Sequence, residues 1–462
     1  MSSVATDVLD REKDSTPVDF TTAFWKPLTR VAFRFCFAYF GLLCLLFAQL
    51  VLVFTGPLFV YLAASAAGGQ MDSIDDFVRT VSTTVFGTEV APLRKSYSGD
   101  QAPLWVLIFC VFGAAVAITL VWSVLDRRRT AYVRLHAWFL TAVRLCLGGQ
   151  MLFYGMAKVI PLQMPRPTLI TLLQPYGDFS ATGVLWNQVG SAPVYEMLLG
   201  TAEVLGGLLL FLPRTATLGA LLSLVNLAQV FVLNMTFDVP VKLLSFHLVL
   251  MCLFVLAPQA GRLANVLVLE RHSGPMTQPP LFRGARANRI AAVAMAALGV
   301  WVLAGGARMA AEGYRVQGDG VPRPPLYGIW NVTEFTLDGR SLPPLTTDET
   351  RWRRLVLDTR KAAYQKMDDS FVPAVATVDT GTNTLTLTGP PLDEQAPPSE
   401  MPPFTYTFSF EQPAADQLVL RGEYDGRPAT LTMTALDPDT FPLRDGDFHW
   451  IQEYPDLGKL IR

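Results

Sequence analysis

Ionisable side chains inside apolar stretches are where chemistry can be built, because a charge in hydrocarbon is costly and persists only with a partner or a task. In this 462-residue chain two such series recur every seven residues. Arg144, Met151 and Lys158 share one face of an apolar run, and Glu196 and Glu203 share one face of the next, with a drift of about 20° per heptad. Gly200 and Gly207 follow the glutamates by four, which gives that face room for close helix contact. Downstream stand Asn226, Gln229 and Asn234, then Asp238 and Lys242 around Pro240, then His247 deep in a further apolar run. Together these residues predict a polar seam between neighbouring helices. Glu203 is expected to pair with Lys158 or His247. Depth favours Glu196 as the partner of Lys158, since Lys158 lies near the end of its run and the next run returns from that end. Arg144 and Lys158 have a second option, to snorkel toward the nearer interface.

Three roles fit such a seam: ion pairs that only fasten helices together, a proton-linked or quinone-head-group pocket, and a transport path. A quinone ring needs hydrogen-bond donors to its carbonyls, a part for Lys158 or His247, and a proton relay, a part for Glu203. Transport would call for inverted repeats and matching helix breaks at mid-membrane; Pro240 has no counterpart in the other half of the chain. Other redox chemistry lacks its ligands. The five cysteines (Cys36, Cys44, Cys110, Cys146, Cys252) are scattered through apolar stretches with no CxxC, and the four histidines (His136, His247, His272, His449) place only one ring deep in an apolar run. No haem, iron–sulfur or zinc motif is present, nor a GxGxxG, a phosphate-binding loop or a nucleophile elbow. Nothing points to nucleic acid as a partner.

The elements that must hold these residues follow from composition. Half of the chain is hydrophobic (51%) and 16% is charged, against about 25% charged in soluble proteins. The net charge of −2 hides an asymmetry: from Glu312 onward 23 acidic face 14 basic residues, while the preceding part is positive by 7. A hydrocarbon core of about 30 Å needs about 20 apolar residues. Seven runs approach that length, at about 36–64, 102–125, 137–160, 194–212, 217–233, 243–257 and 290–311. With the N-terminus inside, the inner segments hold 15 Lys and Arg and the outer ones 5, with Arg127-Arg128-Arg129 the strongest marker. This predicts a multi-pass protein of a bacterial inner membrane with the lipid bilayer as its first partner. Its acidic tail would then lie in the periplasm or outside the cell.

That tail changes period. Tyr327–Phe335, Leu385–Leu387, Phe404–Phe408, Leu418–Leu420 and Ala429–Met433 alternate apolar and polar residues, and Asp425-Gly426 is a hairpin signal. About eight strands in about 130 residues predict a small antiparallel barrel or sandwich. Gly328-x-Trp330 is similar to the opening of lipocalin-type barrels. Trp352-Arg353-Arg354 and Phe448-His449-Trp450 are candidates for a pocket or, more simply, for rim and edge positions. The fold class is therefore an all-α membrane bundle followed by a small all-β domain. The expected domains are a cytoplasmic segment 1–34, two leading helices in 35–136, a four-helix membrane domain at 137–260, a basic loop with a seventh helix at 261–311, and an extracytoplasmic β domain at 320–462.

The stretch Arg144-Leu-Cys-Leu-Gly148 … Tyr154-Gly155-Met-Ala-Lys158, followed by Glu203-Val-Leu-Gly-Gly207, resembles the DoxX family. Its members are small four-helix membrane proteins with an R…G…GxxK first helix and an ExxGG second helix. The resemblance covers about 137–260, a little over a quarter of the chain. The segment Asn234 to His247 looks like the longer DoxX-like proteins with added helices and an extracytoplasmic domain. The resemblance implies a link to membrane oxidoreductase complexes and oxidative stress, with an oxidoreductase as a candidate partner and quinone as a candidate cofactor. A non-enzymatic alternative is a membrane anchor whose outer β domain binds a partner or an apolar ligand.

Overall fold

A computed structural model describes residues 24–61, 74–92, 99–276, 278–359, 361–389, 404–444 and 450–451. Among them seven helices are long and apolar enough to cross a membrane: α1 (Pro27–Leu46), α2 (Ala102–Leu125), α3 (Val133–Val159), α4 (Pro193–Phe211), α5 (Ala216–Thr236), α6 (Lys242–Leu256, continued by short turns to Leu267) and α7 (Ala285–Gln317). The chain is a multi-pass membrane protein. α2 shows how such a helix meets lipid: it exposes Trp105, Phe109, Phe112, Leu120 and Val124 while burying Leu107, Val111 and Ala115. By contrast α3 is largely enclosed, and its core-facing Leu140, Val143, Leu147 and Met151 join Phe40, Leu43, Leu50, Leu248 and Met251 in one cluster.

The first apolar run is not one continuous span. α1 begins at Pro27, nine residues before the apolar run at Cys36, so Arg30 and Arg34 lie on the helix. After Leu46 the chain breaks, makes a short helix at Gln49–Leu52 and then a 3-10 turn at Val53–Leu58. Gly56 there has φ +58°, and a Cβ on it would collide with the indole of Trp301 on α7, so the turn needs glycine. Residues 62–64 lie outside the described residues.

The chain forms two compact units, residues 1–163 with 194–313, and residues 164–193 with 314–462. In the second unit nine strands form one antiparallel sheet in the order β2-β1-β3-β4-β5-β6-β7-β8-β9, closed by pairing of β1 with β9. These are β1 (Gly328–Leu337), β2 (Arg340–Ser341), β3 (Trp352–Leu357), β4 (Ala362–Lys366), β5 (Phe371–Asp379), β6 (Thr384–Thr388), β7 (Thr405–Ala414), β8 (Gln417–Tyr424) and β9 (Arg427–Leu436). The two-residue β2 only folds back on the end of β1, so the body is an eight-stranded up-and-down barrel. Of the two expected forms, barrel and sandwich, closure selects the barrel. Asp425 (φ 50°) and Gly426 (φ 72°) make the β8–β9 hairpin with two left-handed residues, as an Asp-Gly turn of that length requires.

Aromatic side chains fill the barrel. Trp352 is fully buried and stacks on Tyr364 at 4.3 Å, with Phe408 and Tyr424 edge-on to it. Trp330 is buried and donates from Nε1 to the Leu326 carbonyl at 2.9 Å, so the Gly-x-Trp element closes the core. Arg353 pairs with Asp369, and Arg354 bonds Asn331 and Gln365; both behave as wall residues. Phe448 and His449 lie outside the described residues. On the outer wall Leu169, from the short helix Leu169–Leu173, packs on Ile329 and Val356, and the Leu169 N–H donates to the Asp358 carboxylate at 2.7 Å.

Candidate functional site

The site is assembled by two helices that approach closely because small residues line their contact. A Cβ built on Gly200 of α4 would lie 2.6 Å from the Gly155 carbonyl oxygen of α3 and 2.7 Å from the Lys158 Cβ, and one on Gly155 would lie 2.9 Å from the Val204 nitrogen. Only glycine lets the backbones come so near. One heptad away Gly148 and Gly207 repeat the contact.

This approach brings Lys158 Nζ to 2.9 Å and 2.7 Å from the two carboxylate oxygens of Glu203. Both side chains are almost fully enclosed, with 7% of each exposed. The pairing expected from depth, Lys158 with Glu196, does not occur. Gly200 is level with Gly155 and Val159, so the first two turns of α4 run past the end of α3. Glu196 therefore sits about 10 Å beyond Glu203 along α4 at 1.5 Å per residue, fully buried in the first turn.

A short polar chain continues from the pair along α3. Gln150, Tyr154 and Lys158 are spaced by four and share a face. Gln49, delivered by the broken first span, donates from Nε2 to the Tyr154 hydroxyl at 2.7 Å and to Gln150 Oε1 at 3.3 Å. Gln150, with no exposed surface, donates back to the Gln49 carbonyl at 3.1 Å. None of these three belongs to the seam that the sequence predicts. The spacing of four from Lys158 is a readable signal for two of them, and a glutamine inside the first apolar run is the signal for the third.

His247 does not join this group. Its Nδ1 lies 2.6 Å from the Leu243 carbonyl and its Nε2 lies 2.7 Å from the Tyr39 hydroxyl of α1. A carbonyl only accepts, so Nδ1 donates, and in the neutral ring Nε2 accepts from Tyr39. Asp238 and Lys242 form a third cluster, with Lys242 Nζ 2.8 Å from Asp238 and 3.6 Å from Asp100. Asp100 also accepts from the Lys242 and Leu243 N–H groups at the start of α6, where a carboxylate satisfies free helix donors. Asn234 is buried and donates to Ser245 at 3.0 Å. Asn226 is half-buried, and Gln229 is exposed on α5. Arg144 is buried on α3, about 21 Å from Lys158 along the helix. The predicted seam is thus several separate clusters, of which Lys158–Glu203 with Gln49, Gln150 and Tyr154 is the most enclosed.

The bidentate contact leaves the third Lys158 N–H, and the Tyr154 O–H, as donors suited to a carbonyl oxygen. The chain is 34% identical over 113 residues to the uncharacterized protein YwoB of Bacillus subtilis (strain 168), a match that covers 24% of this chain and 71% of that protein. No family model and no solved structure matches.

Proposed function

The chain belongs to the family of YwoB. On the residues of its own polar cluster we propose that it is a DoxX-like, redox-linked membrane subunit that binds a quinone head group beside the Lys158–Glu203 pair. The observation that carries the reading is this enclosed pair, joined on one helix face to Tyr154 and the two glutamines. Donors suited to quinone carbonyls and a carboxylate suited to proton relay stand side by side there. Lys158 and Tyr154 would hold the ring oxygens, and Glu203 would orient Lys158 and exchange its proton. A bound quinone supplies the capacity for two electrons and two protons. The electrons come from a membrane oxidoreductase partner, since the chain carries no electron-carrier motif of its own. In this reading the protein sits in a bacterial inner membrane, N-terminus inside and barrel outside.

The test is mass spectrometry of lipids extracted from the detergent-purified protein. The reading expects about one quinone per chain, lost from Glu203→Gln. A parent protein that carries none, even after reconstitution with added quinone, contradicts it.

One observation favours the anchor reading as well: residues 164–193 and the barrel form a single body, a sizeable surface to present. Under that reading Glu203→Gln leaves binding by the outer domain unchanged.

A further inference from the structure

At the end of the bundle where α3 and α7 begin and α4 passes into α5, a cavity of about 880 Å³ opens. Its back wall is Arg144, which is 1% exposed. The Arg144 Nη2 lies 3.1 Å from the Met295 sulfur, a weak acceptor, while Nε and Nη1 have no hydrogen-bond partner. Arg214, in the α4–α5 connection, and Arg289, in the first turns of α7, stand exposed at the rim. No acidic residue is found among the described lining residues. Three guanidinium groups therefore surround one cavity without a carboxylate.

An arginine stays protonated in proteins, and a buried cation without a counter-charge is strongly unfavourable. Arg144 is a buried guanidinium in the wall of this cavity with two donor groups unused, and planar forked donors match phosphate oxygens. The remaining wall is apolar and small, with Leu212, Ala291, Ala292 and Ala296. We propose that this cavity binds a phosphate group, carried either by the head group of an anionic phospholipid or as free phosphate. The apolar wall next to the cations offers room for the first carbons of an acyl chain. The site is independent of the Lys158–Glu203 cluster and lies toward the opposite end of α3.

The experiment is native mass spectrometry of the full chain in neutral detergent, titrated with phosphatidylglycerol, phosphatidylcholine and inorganic phosphate. Loss of one charge-assisted contact of about 1.5–3 kcal/mol corresponds to roughly 10-fold or more in affinity. One equivalent of phosphatidylglycerol should bind, weakened at least about 10-fold by Arg144→Met and by the double variant Arg214→Gln/Arg289→Gln. The double variant changes exposed residues only, so its result does not depend on how the core tolerates Arg144→Met. Displacement of the lipid by millimolar phosphate would assign the site to free phosphate, and failure of phosphate to compete would assign it to lipid. Phosphatidylcholine bound as tightly as phosphatidylglycerol, or affinity unchanged in the double variant, would overturn the proposal.

Discussion

At the scale of single residues the weight rests on Lys158 and Glu203. Removing one partner of an enclosed ion pair leaves an uncompensated charge and costs about 3–5 kcal/mol, whereas replacing both with apolar residues of similar size is often close to neutral. Lys158→Met and Glu203→Gln should therefore each lower the thermal midpoint of the detergent-solubilised protein clearly, and Lys158→Met/Glu203→Leu should recover most of that loss. Under the quinone reading the double variant regains stability but not quinone. If the pair only fastens α3 to α4, stability and ligand content move together. The barrel supplies a second residue-scale prediction. Burial raises the phenol groups of Tyr364, Tyr406 and Tyr424 above their ordinary value, and for Tyr406 the hydrogen bond to Asp425 pushes further in the same direction. In the unfolded chain these groups ionise near pH 10, so there the unfolded state loses protons first. Their contribution to stability is complete below about pH 10 and declines as the pH rises above it. Tyrosinate absorbance and near-ultraviolet circular dichroism of the full chain should show late-titrating phenols, those of the barrel ionising together with the loss of barrel packing.

At the scale of elements the glycine contacts decide the geometry. Gly200→Ala places a methyl 2.6 Å from backbone atoms of α3, and a backbone cannot rotate away as a side chain can. The helices must separate, at a cost of about 1–3 kcal/mol for an overpacked contact, and the Lys158–Glu203 bonds lengthen with them. A lower thermal midpoint together with weaker quinone retention is the expected result. What is legible in the amino-acid sequence divides along the same lines. Hydropathy marks membrane helices because it depends on run length alone, and period-two alternation marks strands because one face is buried, so the seven spans and the antiparallel strands are both legible, while the β1–β9 closure that makes a barrel and not a sandwich is not. The partner of Lys158 is not, because pairing depends on how far one helix slides past another. Runs of hydrophobicity do not set that offset; here the close approach of Gly155 and Gly200 does. The break after Leu46 that delivers Gln49 to Tyr154 is hidden for a related reason: nearly every residue around it is apolar, so nothing interrupts the hydropathy signal. His247 stands out in its apolar run as an unusual residue, but its partner Tyr39 lies 208 residues earlier in the chain.

At the scale of the whole molecule the seven spans fix a parity. Residues 164–193 follow α3 and the barrel follows α7, so four spans separate them, and if each span crosses once both are expected on the same face. Their membership of one compact unit agrees with that count. An impermeant maleimide applied to intact cells should label Ser191→Cys and Asp416→Cys and spare Arg128→Cys. Labelling of Ser191→Cys and Asp416→Cys from opposite sides would break the parity, and labelling of Arg128→Cys alone would invert the orientation that the basic residues imply. The central claim remains the ligand beside Lys158 and Glu203, and its most direct test is to photolyse an azido-quinone with the purified full chain and map the adducts by peptide mass spectrometry. The account predicts labelling in the segments around Gln49, Gln150–Lys158 and Gly200–Val204, suppressed by excess unlabelled quinone and lost in Glu203→Gln. Adducts confined to other helices, or labelling that excess quinone does not suppress, would contradict it.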